Sequence, residues 1–327
     1  MRFVVPALKL ASISMLLIAS LMAQTVRSAA SPWDFTVKVA LPADLEAKYG
    51  GPVQMEADVE AQLAQVNARF SGFARPITFT ATEFYTYNGD PKAAIVQAHP
   101  ETNFVLIYSE KAANEGGWYG REQAIIHGWA AADGGVFSAN ATDGLTHEFG
   151  HSRGAVDVYD ETVTAANNPV SHETYTPPAG IMTYPYGVST WDAYSTGVIN
   201  AGKDSVSSGA PVVDTAFPGM QVVVRTAAGR TVSGAQVQLY PEAWGSGEVS
   251  TTPTQSGVTG ADGRLALDAN PFAPGVPGQS WNLAAPNFVV KVVAGGETGY
   301  GFLPLSSVGG WYFTHPGQVY TLAIAIK

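Results

Sequence analysis

Apolar and polar residues alternate over 35–41 (Phe-Thr-Val-Lys-Val-Ala-Leu), the period-2 pattern of a strand with one buried face. The period then changes. Met55, Val59, Leu63, Val66 and Phe70 recur at three- and four-residue intervals, which predicts a helix over 55–70. Residues 77–87 mix β-branched and aromatic side chains in alternation, and 103–108 (Asn-Phe-Val-Leu-Ile-Tyr) is a short buried-strand run. The segment 134–140 (Gly-Gly-Val-Phe-Ser-Ala-Asn) reads as the edge strand of the same sheet, open to an extended peptide, with Asp143-Gly144 as a turn into a following helix. From residue 222 onward the pattern is purely β. Strands are expected over 222–224 and 236–240 as a hairpin, over 265–267 after an Asp262-Gly263 turn, and over 288–293, 300–305 and 319–326. About seven short strands in this last stretch indicate a sandwich. The fold class expected is therefore α+β, with a sheet-and-helix domain over 31–202, a Ser-, Gly- and Pro-rich linker over 203–217, and an all-β sandwich over 218–327.

One stretch carries chemistry: Thr146-His147-Glu148-Phe149-Gly150-His151-Ser152-Arg153-Gly154-Ala155-Val156-Asp157. Histidines four apart on a helix face the same way, so both imidazoles reach one metal ion. A carboxylate directly after the first histidine reaches a metal-bound water instead of the metal. Catalytic zinc takes three protein ligands and keeps one position open. Gly154 can adopt a positive φ, end the helix and turn the chain back, which brings Asp157 under the ion as the third ligand. Glu161 and Glu173 are the alternative third ligands. Calcium at Asp160 and Glu161 is a weaker reading, because that ion takes six or more oxygens. His127 and His172 are the histidines nearest the motif, and a lone loop histidine is more often structural than ligating.

Further on comes Gly180-Ile181-Met182-Thr183-Tyr184 in a Pro- and Gly-rich loop. With this the chain resembles the metzincin zinc metallopeptidases, whose long motif is HExxHxxGxx followed by His or Asp. The resemblance implies a twisted sheet with an active-site helix behind it, one catalytic Zn2+ on His147, His151 and Asp157, and Glu148 as general base. It implies Met182 as the methionine of the turn beneath the metal. Tyr184 matches the tyrosine that astacin-like and serralysin-like members place near the reacting carbonyl. Aspartate as third ligand looks most like the snapalysin group. Arg153 departs from the pattern, standing where the family has an inward apolar side chain. The C-terminal region resembles, in strand and turn pattern only, the transthyretin-like or carboxypeptidase-regulatory-like sandwiches found beside secreted hydrolases. Such a module is expected to contact a glycan or a surface, or to stabilise the enzyme. Trp244, Trp281 and Trp311 would form a stacking platform, with burial in the core as the commoner role for tryptophan. Tyr175, Tyr184, Tyr186 and Trp191 would form an aromatic rim to the cleft.

The N-terminus adds a location. Met1-Arg2 and Lys9 are basic, residues 10–23 are an apolar run without an acid, and small residues at Ala23 or Ala30 offer cleavage sites, so residues 1–30 read as a signal peptide. The run is 14 residues long, short of the roughly 18–20 that span a bilayer. The expected location is extracellular or periplasmic. The 327 residues contain no cysteine, so neither disulfides nor a cysteine-switch latency device is available. Between the cleavage sites and the first strand there is little room for a folded propeptide. A net charge of −10 makes nucleic acid or an anionic membrane a poor partner. The function expected is a secreted zinc-dependent endopeptidase acting on proteins or glycoproteins. The competing expectation is a secreted adhesin or glycan-binding protein with a structural or decayed zinc site.

Overall fold

The computed structural model describes residues 31–95, 102–110, 116–120, 122–202, 217–267, 269–272 and 284–327. The expected signal peptide, residues 203–216 of the expected linker and Trp281 fall outside these. The described chain is α+β. Its N-terminal part holds β1 (Trp33–Pro42), α1 (Ala43–Lys48), α2 (Pro52–Phe70), β2 (Ile77–Tyr87), α3 (Pro91–Ala94), β3 (Phe104–Ser109), β4 (Gly117–Tyr119), β5 (Ala124–Gly128), α4 (Ala139–Ser152) and α5 (Ala193–Ala201). The sheet runs β2-β1-β3-β5-β4, parallel except for β4, which is antiparallel to β5 at the edge. Alternation along the strands sorts their side chains. Phe35, Val37, Val39 and Leu41 of β1, with Phe104, Leu106 and Tyr108 of β3, pack beneath α2 and α4 against Met55, Val59, Leu63, Val66, Phe70, Leu145 and Phe149. Ala40, Val105, Ile107 and Ile126 point to the opposite face, which Tyr85, Ala94 and Ile95 cover.

Two expectations here are corrected. Residues 134–140 form no strand: Gly134 and Gly135 have φ of 95° and 77°, which extended chain does not adopt, and Ser138 caps α4 by accepting from the Ala141 N–H at 3.2 Å. The edge strand is instead β4. Asp143 and Gly144 are not a turn but lie inside α4, where Asp143 is buried, pairs with Arg69 of α2 at 3.1 Å and accepts from the Gly187 N–H at 2.8 Å. This carboxylate ties α4 both to α2 and to the loop that follows Met182.

Among the described residues the C-terminal part is a seven-stranded sandwich of β6 (Met220–Thr226), β7 (Gln236–Pro241), β8 (Gln255–Val258), β9 (Arg264–Leu267), β10 (Phe288–Ala294), β11 (Glu297–Phe302) and β12 (Tyr320–Ile326), with α6 (Leu305–Thr314) between the last two. One sheet runs β11-β10-β7-β8 and the other β12-β6-β9. The expected β6–β7 hairpin is therefore not made. The chain turns at Gly229, bridges back from Thr231 to Arg225, and then crosses at Gly234 (φ 73°) into the other sheet. The strand expected over 300–305 stops at Phe302, and Pro304 supplies the extended residue that starts α6. Trp244 packs partly buried against the sandwich core, and Trp311 lies on α6 with its ring stacked on His315, so neither stands as a free platform.

The two parts share a core. Val156, Tyr194 and Val198 belong to the same buried cluster as Val222, Val237, Phe288, Leu305 and Val308. Helices α5 and α6 cross so closely that a Cβ at Gly309 would fall on the Tyr194 ring and one at Gly197 on the Phe313 ring. Both glycines are needed for that approach. Gly309→Val is expected to destabilise the protein by about 2–3 kcal/mol through overpacking; a calorimetric Tm within a degree of the parent would contradict a close-packed crossing.

Candidate metal centre

Helix α4 presents His147 and His151 on one buried face, and its C-terminus is built to deliver the third group. The Gly154 N–H donates to the His151 carbonyl at 2.9 Å and the Ala155 N–H to the Gly150 carbonyl at 3.1 Å, with Gly154 at φ 91°: a Schellman ending. The reversal directs the Ala155 carbonyl back onto the His151 ring, where it accepts from Nδ1 at 2.8 Å. It also returns Asp157 to the histidine pair. Asp157 Oδ1 lies 3.0 Å from the Nε2 of each histidine, and the two Nε2 atoms are 3.1 Å apart. Among the described residues this is the one cluster of three His, Cys, Asp or Glu side chains placed to hold an ion.

The loop at 180–184 closes the site from below. The Ile181 carbonyl accepts from His147 Nδ1 at 2.8 Å, and the Met182 carbonyl accepts from the Val158 N–H at 2.9 Å. Met182 is fully buried, and a Cβ at Gly150 would lie 2.7 Å from its sulfur and 3.0 Å from the Trp191 ring. Gly150, between the two histidines, is what lets the turn approach the helix. Arg153 points inward as well, its guanidinium 4.3 Å from the Phe35 ring centroid and 5.3 Å from that of Trp33. Aromatic faces thus take the charge at a position expected to be apolar.

The donor chemistry fits a metal. With each Nδ1–H committed to a backbone carbonyl, both Nε2 lone pairs face one point, and a carboxylate oxygen faces it too. Three acceptors at contact distance repel unless a cation or proton lies between them. Tetrahedral zinc at 2.0–2.2 Å spaces its ligands by about 3.4 Å, so the observed 3.0–3.1 Å is a slightly contracted version of that set. The same proximity governs the ionisation of the residues alone. Burial disfavours charge on His151, but Asp157 outweighs it and lifts the imidazole to about 9. Burial likewise acts against Asp157, and the two imidazoles overcome it and hold the carboxyl well below the usual range.

Glu148, half-buried, faces a cleft of about 140 Å³ lined by Gly116, Gly117, His127, Gly128, Trp129 and Tyr186. The edge strand β4 and the end of β5 form one wall of that cleft. Tyr184 is 63% exposed, its ring set edge-on against Tyr186 at 4.8 Å. The tyrosine placed at the cluster is one that sequence reasoning missed. Tyr159 stacks on His147 (6.0 Å, 18°) and hydrogen-bonds Asp157; burial and that neighbouring charge raise its pKa, so it remains a donor. Its position two residues after Asp157 was the available signal.

The other candidates sort differently. Glu161 is buried, its carboxylate accepting from the N–H (2.5 Å) and hydroxyl (2.6 Å) of Ser306 at the start of α6, and its carbonyl accepts from Asn287 Nδ2 at 3.0 Å. That removes it as a metal ligand. Glu173 and His172 are exposed and stand outside the cluster. Of the expected aromatic rim, Tyr186 lines the cleft with Tyr184 against it, whereas Tyr175 packs on Phe302 and Trp191 on Phe70 and Phe73.

His127 is buried in the cleft wall, with Nε2 hydrogen-bonded to the Val136 carbonyl at 2.8 Å. Burial pushes its pKa down to about 4. Since the unfolded chain binds this proton from about 6.5, the stability that the neutral ring contributes is complete above pH 6.5 and is lost as pH falls towards 4. The expected loss is about 3 kcal/mol. Urea melts at pH 7 and at pH 4.5 check it: the pH dependence should shrink in His127→Gln, and equal slopes would overturn the assignment.

Neither known family models nor characterised protein sequences match the chain. Solved structures give distant likenesses. A chaperone–substrate complex shares 10% identity over 50% of this chain and 33% of its own, with a TM-score of 0.35. Chlorocatechol 1,2-dioxygenase from Pseudomonas putida shares 14% over 35% of this chain and 62% of its own (TM-score 0.20). Wild-type catechol 1,2-dioxygenase from Acinetobacter radioresistens shares 11% over 35% and 53% (TM-score 0.19). The chain spans between 33% and 62% of the length of those matches. At such scores none carries an argument about fold or chemistry. No described helix is long and apolar enough to cross a membrane.

Proposed function

We propose that this chain is a secreted zinc-dependent endopeptidase of metzincin type. The observation that carries the reading is the convergence of His147 Nε2, His151 Nε2 and Asp157 Oδ1, with both Nδ1 atoms locked, beside a cleft that Glu148 faces. His147, His151 and Asp157 would hold the ion. Bound zinc lowers the pKa of a coordinated water towards ~7 and polarises a carbonyl. Glu148 accepts the proton of the attacking water and returns it to the leaving amine. Tyr159 holds Asp157 in place through its hydroxyl. Tyr184, on the exposed loop beyond Met182, is the group that would meet the scissile carbonyl once a substrate lies in the cleft. An extended peptide would pair with the free edge of β4, main chain to main chain. The substrate class is protein or glycoprotein, with glycan or surface contact assigned to the sandwich.

The test is metal analysis of the purified protein together with cleavage of casein and a quenched peptide library, with and without phenanthroline. One zinc per chain and phenanthroline-sensitive cleavage are expected. Zinc bound with no cleavage of any unfolded protein would favour the adhesin with a structural site, and no zinc bound would overturn the peptidase and leave the adhesin with a decayed site.

A further inference from the structure

A second acidic centre lies where the sandwich meets the loop that follows Asp157. Glu242, directly after β7, is 1% exposed, and among the described residues neither of its carboxylate oxygens has a hydrogen-bond partner. This is unlike the adjacent Glu161, whose two oxygens are both taken by Ser306. Burial acts first on both carboxylates, and the charges that reach them are acidic: Asp160 on Glu242, and Asp192 and Glu242 on Glu161. More oxygen converges from the backbone. A Cβ built at Gly247 (φ 66°) would lie 3.0 Å from the Thr162 carbonyl oxygen and 3.6 Å from Glu242 Oε1. Asn167 Nδ2, 3.7 Å from the same point, is directed to the Ser246 carbonyl at 3.2 Å and not to Glu242.

A buried carboxylate with two unbonded oxygens costs about 1–3 kcal/mol or more, unless a proton or cation compensates it. A proton satisfies one oxygen at most and leaves the second oxygen and the charge of Asp160 unanswered. A hard divalent cation answers all of them. We propose that Glu242, with Asp160 and the Thr162 carbonyl, binds a calcium ion that joins the 159–168 loop to the 241–249 loop. The ligands are all oxygen, come from two separate connections and include a carboxylate with both oxygens free, which suits calcium's six to eight irregular positions better than magnesium's strict octahedron. Water supplies the remainder. The assignment is independent of the zinc reading, since it shares no ligand with His147, His151 or Asp157.

The test uses the full chain stripped of divalent ions. Adding calcium should raise its Tm by several degrees, with magnesium much less effective. Terbium should bind in calcium's place and luminesce on tryptophan excitation, Trp244 being two residues from Glu242. Both responses should vanish in Glu242→Gln, which keeps the shape and removes the charge. If that variant fails to fold, Asp160→Asn should still shift the terbium midpoint about tenfold. A parent Tm indifferent to calcium would overturn the proposal. So would calcium or terbium responses of equal size in the parent, Glu242→Gln and Asp160→Asn.

Discussion

Glu148→Gln is expected to lower peptide cleavage by about 10²–10⁴-fold while zinc content and Tm stay at parental values. The amide is isosteric with the carboxylate, and Glu148 lies on the cleft side of α4, outside the buried ligand cluster and the hydrogen bonds that hold it. The loss would therefore be confined to proton transfer, reducing kcat and kcat/KM together with little change in KM. A zinc-loaded Glu148→Gln sample that retained more than about a tenth of parental turnover would leave the general-base role without support.

Asp157→Ala should fail at an earlier step. Two histidines remain, but the acceptor that lies 3.0 Å from both is gone, along with the partner of the Tyr159 hydroxyl. Loss of a supporting residue behind a ligand typically costs 10–100-fold in metal affinity, and loss of a ligand should cost at least about 100-fold. Competition against a chromophoric chelator measures it directly. Tyr159→Phe supplies the graded comparison: it keeps the ring on His147 and removes one hydrogen bond, so affinity should fall by about tenfold. Full zinc retention in Asp157→Ala would leave the third-ligand role of Asp157 without support.

Much of the candidate site was legible because it is local. The i, i+4 histidines, the glycine that reverses the chain and the aspartate three residues later are all set by helix and cap geometry, which a short window of sequence encodes. Helix α2 and strands β1, β2 and β3 were legible for the same reason, each carrying a strong period. What stayed hidden depends on distant partners. The spacing near Glu161 suggests a metal ligand, yet its carboxylate is taken by Ser306, a partner 145 residues away. The fate of 134–140 turned on two positive φ angles, while Val136 and Phe137 gave a plausible strand pattern. Helices α5 and α6 carry glycines that weaken any helix pattern, and those glycines exist for the crossing they make with each other. The β6–β7 pairing failed because local turn chemistry cannot say which sheet the next strand joins.

The loop bearing Asp157 is fastened at Glu161 by Ser306 and Asn287, and Val156 lies in the core of the sandwich. Ser306 and Asn287 stand 145 and 126 residues further along the polypeptide than Glu161. A growing chain would possess both histidines and Glu148 long before the loop that completes the cluster could settle. On the proposed reading, cutting power would thus arrive only once the sandwich has been made and folded, a safeguard for the producing cell written into the order of the chain.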